Sequence, residues 1–130
     1  LSLYAIVSRI WLVIKGIFSG KIKLNSELTK ETIEYFKDKI KNISKELKVD
    51  EKSLTNIVNK IEELAKLRDL LTSDTINPDI TKIAEVNTQI SNLETKQKTL
   101  QDEIDSKINI INGYNDKLYQ KTITSTEKLV

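Results

Sequence analysis

The sequence predicts an all-α protein: a long antiparallel helical hairpin of coiled-coil type, preceded by a short, strongly apolar, amphipathic N-terminal helix. Three observations carry this expectation. Only 3 glycines and 1 proline punctuate the 130 residues, too few turn formers for a multi-stranded β fold. Two stretches place apolar residues at alternating steps of three and four, the spacing of a helical seam. Between them TSDTINPDI, residues 72–80, gathers Thr, Ser, Asp and Asn around the single proline.

The length allows one domain with a single core. An aromatic content of 5% with 31% charged residues suits elongated helices with narrow apolar seams better than a globular enzyme with a deep pocket. The organisation read from the chain is an N-terminal helix within 1–24, a hairpin over 25–121 and a tail of 122–130.

The first seam runs Ile33, Phe36, Ile40, Ile43, Leu47, Leu54, Ile57, Ile61, Leu64 and Leu71, interrupted by Asp50 and Arg68. Its phase persists through LKVDEKSL, so one helix over about 30–72 is expected. The alternative is a break near Val49 and Asp50, with Asp50 capping a second helix.

A turn near 73–77 follows, with Asn77 as N-cap and Pro78 at the first helical position, where its missing N–H is harmless. The second seam, over about 78–120, runs Ile83, Val86, Ile90, Leu93, Leu100, Ile104, Ile111, Tyr114 and Leu118. Gln97 and Lys107 replace apolar residues in it, and Gly113 in NGYND is a place for the helix to bend or end. A polar seam residue such as Gln97 lowers stability but can fix register and partner number; the plainer reading is a solvated defect. The tail TITSTEKLV has no period, and frayed chain or a short strand-like extension both fit it. Two matched helices of about 43 residues, roughly 64 Å each, joined by a few residues, favour an antiparallel pair.

The opening LSLYAIVSRIWLVIKGIFSG holds no acidic residue. On a helical wheel Leu3, Ile6, Val7, Ile10, Trp11, Val13, Ile14, Ile17 and Phe18 fill one side, and Ser2, Ser8, Arg9, Lys15, Gly16 and Ser19 the other. Gly20 is placed to stop the helix, and Lys21 and Lys23 follow. No acidic residue precedes Glu27, so this arm is basic whereas the rest of the chain is slightly acidic.

Three fates are open to the apolar face: packing on the hairpin or on neighbouring subunits, lying in a membrane interface, or spanning a membrane. In the interface, Trp11 and Phe18 would reach the acyl boundary, with Arg9, Lys15, Lys21 and Lys23 as a basic rim towards anionic headgroups. A span needs roughly 20 apolar residues and would carry Arg9 near its middle at about 2.5 kcal/mol or more. No small-residue cleavage site follows the segment, which disfavours a removed secretory signal. Methionine is absent even at position 1, and the chain is read as part of a longer translation product.

Histidine and cysteine are both absent, which removes the commonest general base and metal ligand and the strongest nucleophile. The closest carboxylate groupings are Asp50 with Glu51, Glu62 with Glu63, and Asp102 with Glu103 and Asp105; heptad geometry reads them as solvated faces. No phosphate-loop, nucleophile-elbow or zinc-protease motif occurs, so neither catalysis, cofactor nor metal is expected. A net charge of +2 gives no strong nucleic-acid signal. Asn42-Ile43-Ser44 matches the N-glycosylation acceptor pattern, which matters only for a secreted or surface chain.

The expected function is a non-catalytic structural subunit, a homo-oligomer or polymer such as a filament, shell or stalk, joined through the seams and the N-terminal apolar helix. Gln97, Asp50 and Arg68 would set its register. A membrane-associated coiled-coil tether with residues 1–23 on an anionic surface is the alternative, and a helical pore-forming effector a further one. A surface assembly or a membrane-associated location fits these readings; the residues name no compartment.

Overall fold

The computed structural model describes residues 3–15 and 22–121. In chain order these form α1 (Leu3–Lys15), β1 (Ile22–Leu24), α2 (Lys30–Ser73), α3 (Ile80–Leu118) and β2 (Tyr119–Lys121). The fold is an antiparallel hairpin of α2 and α3, with α1 packed against both long helices near the end remote from the turn.

Helix α2 is continuous over 44 residues, about 66 Å at about 1.5 Å per residue. No break occurs at Val49 and Asp50, because the seam keeps its phase and Asp50 turns to the partner helix instead of capping a new one. The helix starts where Thr29 caps it, its hydroxyl accepting from the Thr32 N–H at 3.2 Å. Helix α3 likewise runs through Gly113 without ending there.

The turn differs from expectation. Asp74 Oδ1 accepts from the N–H groups of Ile76 and Asn77 at 3.2 and 3.0 Å, which winds the chain into a polar loop after α2. Pro78 stays in that loop, its carbonyl accepting from the Ile80 N–H at 3.1 Å. The N-cap is therefore Asp79 and not Asn77: its carboxylate accepts from the Lys82 N–H at 3.0 Å, and α3 begins at Ile80.

The seam fills as two clusters. Leu47, Leu54, Ile104 and Ile111 are buried together with Ile108 and with Ile6 and Ile10 of α1; Leu64, Val86 and Ile90 form a smaller cluster towards the turn. Every apolar seam residue named from the sequence is at least half-buried, including Ile33, Phe36, Ile57, Ile61 and Ile83. Near the open end Phe36 and Tyr114 pack with ring centroids 5.5 Å apart, and the Lys117 ammonium lies 5.7 Å above the Phe36 ring.

A two-stranded antiparallel ladder closes that end, pairing Ile22 with Lys121, Lys23 with Gln120 and Leu24 with Tyr119. Asn25 then ties the start of the hairpin to the end of α3, its N–H donating to the Leu118 carbonyl at 2.7 Å. The strands were not predicted: three residues each is too short for a period of two to register.

Burial beside the seam divides the molecule. Ser44, Glu51 and Val58 on α2 and Gln101, Ile108 and Asn115 on α3 flank the seam at seven-residue intervals, and all are buried or half-buried where α1 lies. Further towards the turn the equivalent Ala65 is still half-buried, and Thr72, Asn87 and Glu94 are exposed. Among the described residues the base is thus a three-helix body, and the remainder is a two-helix stalk.

Candidate functional site

The arrangement of α1 decides what surface the protein offers. Its 13 residues, about 20 Å of helix, lie in the groove between α2 and α3, with Ile6 and Ile10 buried. Leu3, Val13 and Ile14 flank them against the same cluster. Full burial of two isoleucines contributes about 3–6 kcal/mol as an upper bound.

The apolar arc is wider than the groove. Val7 is half-buried, and the outer face leaves Tyr4 82%, Leu12 49% and Trp11 40% exposed. Of the other expected contact residues, Ile17 and Phe18 lie outside the described residues.

Of the expected basic rim, Arg9 is the member whose side chain the structure describes. Arg9 does not turn outward: its Nη1 donates to Asp105 Oδ1 of α3 at 2.8 Å, because the polar arc of α1 faces the flank of α3. Lys15 closes α1 and Lys23 sits in β1, while Lys21 lies outside the described residues. Further cations beside α1 come from α2. Ile14, Lys37, Ile40, Lys41, Ser44, Lys45 and Lys48 line an open groove of about 350 Å3, with the two isoleucines on its floor and four lysines on its α2 wall. The spacing of 37, 41, 45 and 48 is one stripe of a helix, which the wheel of α1 alone did not show.

At the opposite end, the turn exposes Leu70 by 72%, Ile76 by 96% and Ile80 by 73%. Residues 69–81 contain Asp69, Asp74 and Asp79 and no basic residue. One end of the molecule therefore pairs apolar surface with lysines, and the other pairs it with aspartates.

The polar seam positions find each other. Lys107 Nζ reaches Asp50 Oδ2 at 2.6 Å and Glu46 Oε1 at 3.7 Å across the hairpin. Burial disfavours the ammonium, but the hydrogen bond and charge of Asp50, aided by Glu46 and Glu103, outweigh it and raise the Lys107 pKa above its ordinary 10.5. Arg68 Nη1 donates to Asn87 Oδ1 at 3.3 Å. Gln97 is half-buried at its seam position. Sequence reasoning named Asp50, Arg68 and Lys107 as interruptions but did not pair them.

Glu62, Glu63, Asp102 and Glu103 are exposed, and among the described residues no group of three or more acidic side chains gathers into a metal site. Among the same residues no helix is long and apolar enough to cross a membrane. Ile108, Val58, Asn115 and Leu67 were missed as buried or half-buried positions because they sit one step off the seam. The signal for the first two was apolar character immediately beside a seam residue in both helices. No family model matches the chain, and neither a curated protein nor a solved structure is significantly similar to it.

Proposed function

We propose that this protein is a non-catalytic structural subunit that associates with further copies of itself through the outer face of α1. The observation carrying this is the two-sided apolar character of α1. Ile6 and Ile10 are buried against the hairpin, yet Tyr4 and Leu12 of the same helix are 82% and 49% exposed. A helix apolar on both faces belongs between two layers, and among the described residues the hairpin supplies one of them. The long narrow hairpin supports the same reading, since it has little interior to host a substrate and much lateral surface for neighbours.

The second reading is a tether on an anionic membrane, favoured by the lysine stripe beside exposed aromatic residues. It ranks lower because the best-buried apolar residues of α1 face the hairpin, so α1 cannot sink that face into lipid while folded. The test is the mass of the intact chain in lipid-free buffer beside a Tyr4→Glu/Leu12→Glu variant. Assemblies formed by the intact chain and lost in the variant support the structural reading. Single chains in both, with vesicle binding only by the intact one, support the tether. The outer-face variant is preferred to deletion of residues 1–20, which would uncover Ile104 and Ile108 and confound assembly with unfolding.

A further inference from the structure

We infer that the surface meeting the α1 side of one copy is the hairpin turn of the next, in a head-to-tail contact. This inference rests on the self-assembly reading and extends its contact from the outer face of α1 into the α1–α2 groove beside it, naming the two surfaces that meet there. The receiving half is the α1–α2 groove, with Ile14 and Ile40 on its floor and Lys37, Lys41, Lys45 and Lys48 on its wall. The entering half is the turn, where Leu70, Ile76 and Ile80 stand out of the protein and Asp69, Asp74 and Asp79 are the ionisable side chains of residues 69–81, with Arg68 and Lys82 flanking them.

Charge decides the pairing. Two turns meeting each other would bring six carboxylates together, and two grooves eight lysines; both are repulsive when desolvated. Turn against groove sets aspartates opposite lysines and aliphatic side chains opposite an apolar floor. The hydrogen bonds that Asp74 and Asp79 accept from the backbone of the turn hold their carboxylates on a fixed loop, so little ordering is needed on contact. The concave groove suits an entering side chain better than a flat bilayer.

The contact is heterologous, one surface meeting a different one. Unless its rotation closes a ring, it repeats without end and yields a filament. Charge pairing of this kind weakens with salt, since screening shortens from about 30 Å at 0.01 M to about 3 Å at 1 M.

A mixing experiment tests it. Leu70→Lys/Ile76→Lys alters the turn at exposed positions and leaves the groove intact. Lys41→Ala/Lys45→Ala alters the groove and leaves the turn intact, and gives the lysine-bearing turn no opposite charge to meet; circular dichroism establishes that both fold. Sedimentation of the full chain is expected to show polymers, each variant alone is expected to remain single chains, and an equimolar mixture is expected to give a one-to-one dimer and nothing longer. Polymers from either variant alone, or no dimer in the mixture, would overturn the head-to-tail contact while leaving self-assembly standing. An unaltered chain that stays monomeric would overturn both, and anionic vesicles added to that chain then report whether the lysines serve lipid.

Discussion

Asp50 and Lys107 each interrupt the apolar seam of their own helix, and across the hairpin they meet at 2.6 Å. Two positions that weaken the pattern one at a time are compatible because the antiparallel register sets one opposite the other. A hairpin shifted by one heptad would leave a carboxylate and an ammonium among isoleucines, where each is costly.

Asp50→Ala leaves Lys107 without its main partner in a largely enclosed position and is expected to destabilise the fold by about 1–3 kcal/mol. Replacing both residues by leucine is expected to restore that loss, because an apolar pair suits the seam as well as an ion pair does. Urea unfolding of the two variants measures both. The pH dependence follows from the raised Lys107 pKa: its contribution is complete below the unfolded value near 10.5 and is lost as pH rises through the folded value above it. Unfolding midpoints should therefore fall more steeply above pH 10.5 in the native chain than in the double leucine variant.

Packing, more than charge, holds α1 to the hairpin. Ile10 is fully buried, and Ile10→Ala is expected to cost about 2–5 kcal/mol. Arg9 and Asp105 are both more than a third exposed, so Arg9→Ala is expected to cost less than about 1 kcal/mol despite the short contact. Thermal unfolding followed through Trp11 fluorescence ranks the two, and the reverse order would mean that α1 is clasped electrostatically.

The cap of α3 discriminates between sequence expectation and structure. Asp79→Ala removes the oxygen that accepts from the Lys82 N–H and should destabilise by about 1 kcal/mol. Asn77→Ala should change stability little, since Asn77 takes part through its backbone N–H. Equal losses would return the cap to Asn77.

Gly113 lies within α3, where an added Cβ would meet nothing within 4 Å. Gly113→Ala is expected to stabilise the protein by about 0.5–1 kcal/mol, through the backbone entropy that glycine loses on entering a helix. Calorimetry reads this as a raised midpoint.

The hairpin was legible in the sequence because its signal repeats: from Ile33 to Leu118 the three-and-four spacing recurs often enough to outlast Asp50, Arg68, Gln97 and Lys107. The third layer was not. Ile108 and Val58 look like surplus apolar residues until α1 lies over them, and the wheel of α1 could not reveal that Arg9 faces Asp105 while Tyr4 and Trp11 face outward. Such pairings are set by tertiary placement, which a one-helix pattern does not encode. The ladder of Ile22–Leu24 with Tyr119–Lys121 depends on a contact between the two segments that flank the hairpin, almost a hundred residues apart in the chain, and no local signal announces it. The lysine stripe of α2 was visible as spacing, but its meaning depends on Ile14 lying beside it.

The most direct measurement is sedimentation velocity of the intact chain across a range of concentrations in lipid-free buffer of low ionic strength. Mass that grows with concentration and collapses to a single chain in the Tyr4→Glu/Leu12→Glu variant is the predicted result. A single chain at every concentration, with or without the substitutions, would contradict self-assembly.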